Sequence, residues 1–238
     1  MVKKAVVTGA TRGIGAAITR RLIEDGFEVI GIARHVPSSF PGEFHQCDLN
    51  DLENSRAVFS RIGLAHDVSI LINNVGAVAV ESVADITADA LSYQWRVNVE
   101  AAVLAIQALL PSMRRQRFGR VINIASGALL GKIGRTGYAA SKAALVGLTR
   151  TMAMELGPSE VTVNCIAPGQ IGTELWAMNN DPDSPKTKAM VESIPLRRLG
   201  TPADVAGAVA FFASESASYV TGQTLFVCGG LTVGRSTL

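Results

Sequence analysis

Short apolar runs alternate along this chain with longer segments whose apolar positions recur every three or four residues. The runs are Ala5-Val6-Val7, Glu28 to Ala33, Val68 to Ile72, Val121 to Ala125, Val161 to Ile166 and Leu225 to Cys228, and Phe44-His45-Gln46-Cys47 adds a short third strand closing at Asp48. Runs without polar alternation predict strands buried on both faces, as in a parallel sheet. Between them the helical period predicts helices from Ala16 to Asp25, from the Asp51 cap to about Ile62, and from Thr87 to Arg117 with a break near Asn98 and Pro111 inside. Two more follow, from Tyr138 to Leu156 and from Thr201-Pro202-Ala203-Asp204 onward. The last opening has Thr as N-cap, Pro at the first helical position and Asp in the first turn. Strands alternate with helices throughout, and no repeat, low-complexity tract or linker interrupts them. One α/β domain over residues 1–238 is expected, a doubly wound seven-stranded parallel sheet with helices on both faces. Residues 170–200 are the least regular segment, broken at Asn179-Asn180-Asp181-Pro182-Asp183-Ser184-Pro185. Their position past a strand's carboxyl end predicts a mobile lid over the substrate.

Composition narrows the classes. The formal net charge is +2 over 238 residues, which gives no electrostatic case for nucleic acid or an anionic membrane as partner. The Arg114-Arg115-Gln116-Arg117 cluster reads as the solvated end of a helix, where cations complement the dipole. Three cysteines, Cys47, Cys165 and Cys228, are far apart. No Cys/His spacing suits a metal, so no metal site is expected. Buried free thiols fit a reducing cytoplasm. No apolar stretch is long enough to span a membrane.

The chemistry-bearing residues lie where strands give way to helices. Gly9-Ala10-Thr11-Arg12-Gly13-Ile14-Gly15 follows the first strand and opens the first helix. Glycines there let the backbone approach a pyrophosphate, and the helix N-terminus offers N–H groups and a positive dipole end. This makes the sheet Rossmann-type. The second strand ends in Ala33 and then Arg34. No carboxylate stands there to take the ribose 2′-hydroxyl of NAD, and Arg34 can bind a 2′-phosphate bidentately. Arg12 is a second candidate, so NADP(H) is the expected cofactor and NAD(H) the alternative. Asn73-Asn74-Val75-Gly76 closes the fourth strand, either lining the crevice or making a turn. Asn98, among apolar residues, is a buried structural amide or a proton relay. Ser126 ends another strand, and Tyr138 and Lys142 stand four residues apart on one helix face. That pair is either a surface contact or a tyrosine whose pKa a neighbouring cation lowers for general acid/base work.

Taken together these motifs resemble the short-chain dehydrogenase/reductase family over nearly the whole chain. Thr8 to Gly15 resembles its cofactor turn and Asn73 to Gly76 its strand-four motif, with Val75 where alanine is usual. Asn98, Ser126, Tyr138 and Lys142 fall where its catalytic tetrad falls. Pro168-Gly169 and Thr173 resemble its nicotinamide-contacting segment. Arg198-x-Gly200-x-Pro202-x-Asp204 and Tyr219 to Gln223 match its C-terminal region. The resemblance implies that Tyr138 exchanges a proton with the substrate oxygen and that Ser126 hydrogen-bonds that oxygen. It implies that Lys142 lowers the Tyr138 pKa and holds the ribose, and that Asn98 holds a water reaching Lys142. It places Gly9, Thr11, Arg12, Gly13, Ile14, Gly15, Arg34, Asp48, Leu49, Asn74, Gly76, Tyr138, Lys142, Pro168, Gly169, Ile171 and Thr173 at the cofactor, with Asp48 at the adenine. The 35–43 loop is shorter than usual, so a helix common there should be missing, and Cys228 replaces an aspartate common before the final Gly-Gly.

The likeness is strongest to 3-oxoacyl-(acyl-carrier-protein) reductases. It implies an NADP(H)-dependent oxidoreductase interconverting a small-molecule ketone and a secondary alcohol, a 3-oxoacyl thioester or a small or cyclic ketone among them. The alternative is an NAD-dependent alcohol or dihydrodiol dehydrogenase, since the short loop and Thr173-Glu174-Leu175-Trp176 resemble dihydrodiol dehydrogenases of aromatic siderophore synthesis. A non-catalytic dinucleotide-sensing protein is a third reading, opposed by the intact tetrad. The lid's Leu175, Trp176, Met178 and Met190 suggest an apolar pocket wall, and no cation is evident for a substrate carboxylate. The solvated-helix reading of Arg114, Arg115 and Arg117 is preferred to a carrier-protein dock. The family pairing of long helices, with small residues at Ala101, Ala102, Ala105, Ala108, Ala143, Ala144 and Gly147, predicts a homotetramer.

Overall fold

The strand order β3-β2-β1-β4-β5-β6-β7 turns back on itself beside β1, which is the reversal of a doubly wound sheet. In the computed structural model, which describes residues 2–234, the strands are β1 (Lys4–Thr8), β2 (Glu28–Ala33), β3 (Glu43–Gln46), β4 (Val68–Asn73), β5 (Gly119–Ile124), β6 (Val161–Pro168) and β7 (Thr224–Val227). Every pairing is parallel. β4, β5 and β6 are buried along their whole length, as their unbroken apolar runs predict.

Helices cover both faces. α1 (Gly13–Glu24) and α8 (Pro202–Ala213) bury Ile18, Leu22, Val205, Val209 and Phe212 against one side. α2 (Leu52–Ala65) and α4 (Ala101–Gln116) bury Phe59, Ile62, Leu104 and Leu109 against the other. α5 (Thr136–Leu156) packs beside α4 and carries Leu145 onto β6. The 87–117 segment resolves into α3 (Ala88–Trp95), a π-helical turn over Arg96–Glu100, and α4 with Pro111 inside it. The break expected at Asn98 is therefore a widened turn rather than a stop, a feature common where a helix is bent for function.

Sequence signals at the helix starts hold in detail. Asp51 accepts from the Asn54 N–H. Thr201 and Asp204 form a reciprocal capping box, which Arg198 completes by donating to both Asp204 oxygens. That guanidinium holds the Asp204 carboxyl far below the usual carboxylate range. No helix fills residues 34–42; instead Phe40 lies on Gly31, where an added Cβ would come 2.3 Å from the ring. The lid carries two short helices, α6 (Glu174–Asn179) and α7 (Pro185–Glu192). The Leu175 and Asn179 side chains and residues 1 and 235–238 lie outside the described residues.

Two expectations are corrected. Ala101, Ala102 and Ala105 are buried in the protomer's own core, because the face of α4 that carries them packs on the sheet. They are unavailable to a second copy, whereas Gly147 opens onto free space. Met178 faces solvent. It follows Trp176 by two positions, which is more than half a helical turn, so α6 cannot turn both toward a pocket. The basic cluster is solvated as expected, with Arg115 paired to Asp67 and Arg117 to Glu160. Cys47, Cys165 and Cys228 are free and buried. No helix among the described residues is long and apolar enough to cross a membrane.

Candidate active site

The site forms along the carboxyl ends of β1, β4, β5 and β6. β1 ends in Thr8, whose hydroxyl accepts from the backbone N–H of Asn74 at 2.9 Å and of Val75 at 3.2 Å. Asn74 returns the bond, its Nδ2 donating to the Thr8 carbonyl at 2.9 Å. The glycine turn is thereby tied to the end of β4. Gly9 and Gly13 hold positive φ angles of 68° and 53°, which glycine adopts without strain. A Cβ on Gly15 would sit 1.9 Å from the Gly9 carbonyl oxygen, so the α1 N-terminus lies directly against the turn. Thr11, Arg12 and Ile14 complete the turn, with Arg12 exposed.

This cradle fits a dinucleotide. Backbone approaches too close for any side chain meet a helix N-terminus, the geometry a pyrophosphate needs. Arg34 is exposed at the end of β2, and its carbonyl is pinned by Gln46 Nε2 at 2.9 Å. Neither Arg12 nor Arg34 pairs with a carboxylate among the described residues. Asp48 is exposed and accepts from the Asn50 N–H, beside buried Leu49. Pro168 ends β6, and Gly169 passes so near the last strand that its Cβ would sit 2.8 Å from the Cys228 Cα. Ile171 is buried, bridging to Gly200. Thr173 caps α6 and reaches over the turn, within 3.5 Å of a Cβ placed on Gly13.

The tetrad residues assemble on the far side of this cradle. Lys142 is fully buried; its Nζ donates to the Ile124 carbonyl at 2.8 Å and the Val75 carbonyl at 3.4 Å. A Cβ on Gly76 would lie 3.1 Å from that ammonium, which is why a glycine stands there. Burial pushes the Lys142 pKa down to about 8. Ser126 caps a 3-10 turn over Gly127–Leu130, its Oγ accepting from the Ala128 N–H at 3.2 Å. Tyr138 lies in the first turn of α5, opposite Ser126.

Here the structure departs from the simple picture of a cation lowering a phenol's pKa. The Tyr138 pKa is raised, because burial outweighs the Ser126 hydroxyl and the Arg135 charge, which both favour the phenolate. Lys142 is not among the groups that lower it. Its ammonium donates to the Ile124 and Val75 carbonyls and lies 6.0 Å from the phenol ring's centre.

Asn98 takes the first of its two readings, the buried structural amide. Its Oδ1 accepts from the Ala77 N–H at 2.7 Å, and its Nδ2 donates to the Ala77 carbonyl and the Ser141 hydroxyl. Both N–H groups are spent on protein partners, so the amide bolts the π-turn to the β4 loop and to α5 rather than relaying protons through its N–H. Asn73, beside the crevice in sequence, turns into the sheet and donates to Asn123 Oδ1 at 2.9 Å; Asn123 in turn donates to Thr149. Two residues escape the sequence reading. Ser141 holds the frame and leaves no signal beyond residue type, while Thr8, read only as the start of the glycine turn, ties that turn to the end of β4. Arg135 stands three residues before Tyr138, and its charge at a helix start was the available sign.

Comparison with known proteins agrees. A family model described as enoyl-(acyl carrier protein) reductase matches residues 9–232. The human dehydrogenase/reductase SDR family member 4 is 37% identical over 246 residues, covering 96% of this chain and 87% of its own. The 3-oxoacyl-(acyl-carrier-protein) reductase of Aquifex aeolicus is 36% identical over 252 residues, covering 96% and 97%. Among solved structures, an NADP-bound NAD(P)-dependent gluconate 5-dehydrogenase from Beutenbergia cavernae, described as putative, superposes with a TM-score of 0.91 at 33% identity, covering 98% of this chain and 97% of that one. A 4-hydroxyisoleucine dehydrogenase complexed with NADH does so at 0.89 and 29%, covering 98% and 100%.

The buried ammonium gives a direct prediction. Because burial disfavours the charged form, Lys142 is charged below and neutral above about pH 8. Nitrogen NMR of Nζ-labelled lysine should show one signal titrating there and lost in Lys142→Met. A wild-type spectrum in which every lysine titrates at its ordinary value would contradict this burial.

Proposed function

The chain belongs to the short-chain dehydrogenase/reductase family, and from that premise we propose that it reduces a ketone to a secondary alcohol with NADPH. The observation that supports this reading is the cradle with its two ends: glycine backbone against the α1 N-terminus beside the exposed Arg12 and Arg34, unpaired among the described residues, and at the other end Ser126 and Tyr138 near the buried Lys142. A phenol and a hydroxyl placed there suit proton exchange with a substrate oxygen.

The residues then divide the work. A bound nicotinamide dinucleotide supplies the hydride. Ser126 Oγ and Tyr138 Oη take the substrate oxygen between them, and Ser126 stabilises the charge that develops on it. The phenol proton passes to that oxygen, leaving the alcohol and a tyrosinate that solvent reprotonates. Lys142 sits beside Gly76 with one N–H direction free of strand carbonyls, suited to a ribose hydroxyl. Gly9, Gly13 and Gly15 admit the pyrophosphate; Thr11, Ile14, Leu49, Asn74, Pro168, Gly169, Ile171 and Thr173 shape the remaining wall, and Asp48 faces the adenine. Arg34 and Arg12, exposed and unpaired among the described residues, take the 2′-phosphate.

Similar structures carry NADP in some cases and NADH in others, so the arginines bear the cofactor assignment. An NAD-dependent alcohol or dihydrodiol dehydrogenase is the alternative. The unpaired Arg34 and kinship with 3-oxoacyl-(acyl-carrier-protein) reductases favour the reductase, with 3-oxoacyl thioesters or small cyclic ketones as substrates. Assembly as a tetramer of 222 symmetry is part of the same reading, supported by open space at Gly147 on α5 and by the part-exposed apolar edge strand β7.

A panel of 3-oxoacyl thioesters, diketones, quinones and cyclic diols, each assayed with both cofactors, tests the reaction. NADPH-linked ketone reduction is expected. Tyr138→Phe should lower kcat by about 100- to 10,000-fold, the usual worth of a positioned acid, while NADPH still binds. NAD-linked diol oxidation that exceeds ketone reduction would overturn the reductase reading. Arg34→Ala should cost about 10- to 100-fold in kcat/KM with NADPH, the worth of a charge-assisted contact, and change NADH kinetics little. Light scattering should return four protomers; a monomer at micromolar concentration refutes the assembly.

A further inference from the structure

Along α3 the usual division of inside and outside is reversed. Gln94 is 1% exposed, while Leu91, Tyr93 and Trp95 on the same helix are exposed. A buried polar side chain is the informative exception to the rule that apolar groups go inside, and an amide tolerates burial only where its oxygen and nitrogen find partners. Gln94 Oε1 accepts from the Ala79 N–H at 3.3 Å, and Nε2 donates to the Ala90 carbonyl at 3.2 Å. The Ala79 carbonyl accepts from Nη1 of Arg135, the N-cap of α5, at 3.2 Å. Ala79, in the segment after β4, is therefore gripped from both sides, by α3 and by the start of α5. Two residues on, the Glu81 N–H donates to the Gly134 carbonyl at 3.0 Å, a second tie between that segment and the approach to α5.

A steric contact joins the amide to the catalytic helix directly. Gly137 is buried in the first turn of α5, next to Tyr138. A Cβ on it would come 2.7 Å from Gln94 Nε2 and 3.0 Å from Ile86, so an added methyl would drive the amide off Ala79 and Ala90 or lift the helix start. Asn98, one turn after Gln94, grips the same segment at Ala77 and donates to Ser141, whose hydroxyl donates to the Tyr138 carbonyl at 2.9 Å. Two amides four residues apart on one helix face thus bracket Tyr138, Gln94 at the residue before it and Asn98 through its carbonyl.

We propose that Gln94 is a positioning residue for Tyr138, setting where the first turn of α5 lies through its contacts with Ala79 and Gly137. This rests on the reductase reading, in which the phenol gives its proton to the substrate oxygen. Gln94 acts through the backbone and not on the reacting atoms. Clamping both the N–H and the C=O of Ala79 constrains that residue in two directions, and Gly137 transmits the setting to its neighbour Tyr138. Proton transfer needs donor and acceptor within about 2.6–3.2 Å of one another, and a displacement of about 1 Å costs up to about 100-fold in rate.

The test uses the full chain with NADPH and a ketone it reduces. Gln94→Met keeps the side chain's length and removes its hydrogen bonds; Gly137→Ala disturbs the same contact from the α5 side. Each should lower kcat by about 10- to 100-fold and leave KM and NADPH binding, read by titration calorimetry, unchanged. The chain has three tyrosines, so carbon NMR of ring-labelled protein resolves them, with Tyr138 identified by its loss in Tyr138→Phe. The Tyr138 signal should shift in both variants, and that of the exposed Tyr219 should not. A merely structural role would weaken NADPH binding and kcat together. That result, an unchanged kcat, or an unmoved Tyr138 signal in either variant overturns the proposal. Should one variant fail to fold, the other gives the same readings. If no ketone is reduced, or Tyr138→Phe reduces it as fast as the wild type, the reductase reading fails on its own. The shift of the Tyr138 signal then still decides whether Gln94 positions that residue.

Discussion

A buried ammonium that must be satisfied is the constraint on which the site depends. Lys142 has no solvent to hydrate its charge, and a buried cation without partners is costly. Its partners are the carbonyls of Ile124 and Val75, at the ends of two adjacent strands. Reaching them fixes α5 over the crevice and sets the height of Tyr138 one turn earlier. It also favours a small residue at position 76, since a side chain there would crowd the ammonium. The catalytic helix, the strand ends and the floor of the crevice are thus placed by one group's need for acceptors.

Burial of the phenol one turn earlier outweighs the groups that favour the phenolate and raises the Tyr138 pKa. Arg135, three residues before Tyr138, is the charge that favours the phenolate. Asn98 serves the same frame. Its amide joins the π-turn, the β4 loop and Ser141, so the widened turn is fixed rather than loose.

Much was legible along the chain because it depends on neighbours in sequence. Apolar runs announced most of the strands, Thr201 to Asp204 announced a capped helix start, and the glycine turn announced a close backbone approach. Less legible were partners brought from afar. Asn73 and Asn74 are adjacent in sequence and alike in chemistry, yet one enters the sheet toward Asn123 and the other staples the glycine turn. Strand alternation sends them to opposite sides, but which side holds the crevice depends on the crossing of β1 and β4. Trp176 and Met178 likewise needed α6 to be placed before their directions could be known.

The sequence by itself determined the order of strands and helices, the glycine turn with Arg34 beyond it, and the presence of Ser126, Tyr138 and Lys142, since each is written in local residue types and spacings. Only the tertiary structure decided what those groups do to one another. Burial and charge act through space: they lower the Lys142 pKa, raise that of Tyr138, and spend the Asn98 amide on the frame.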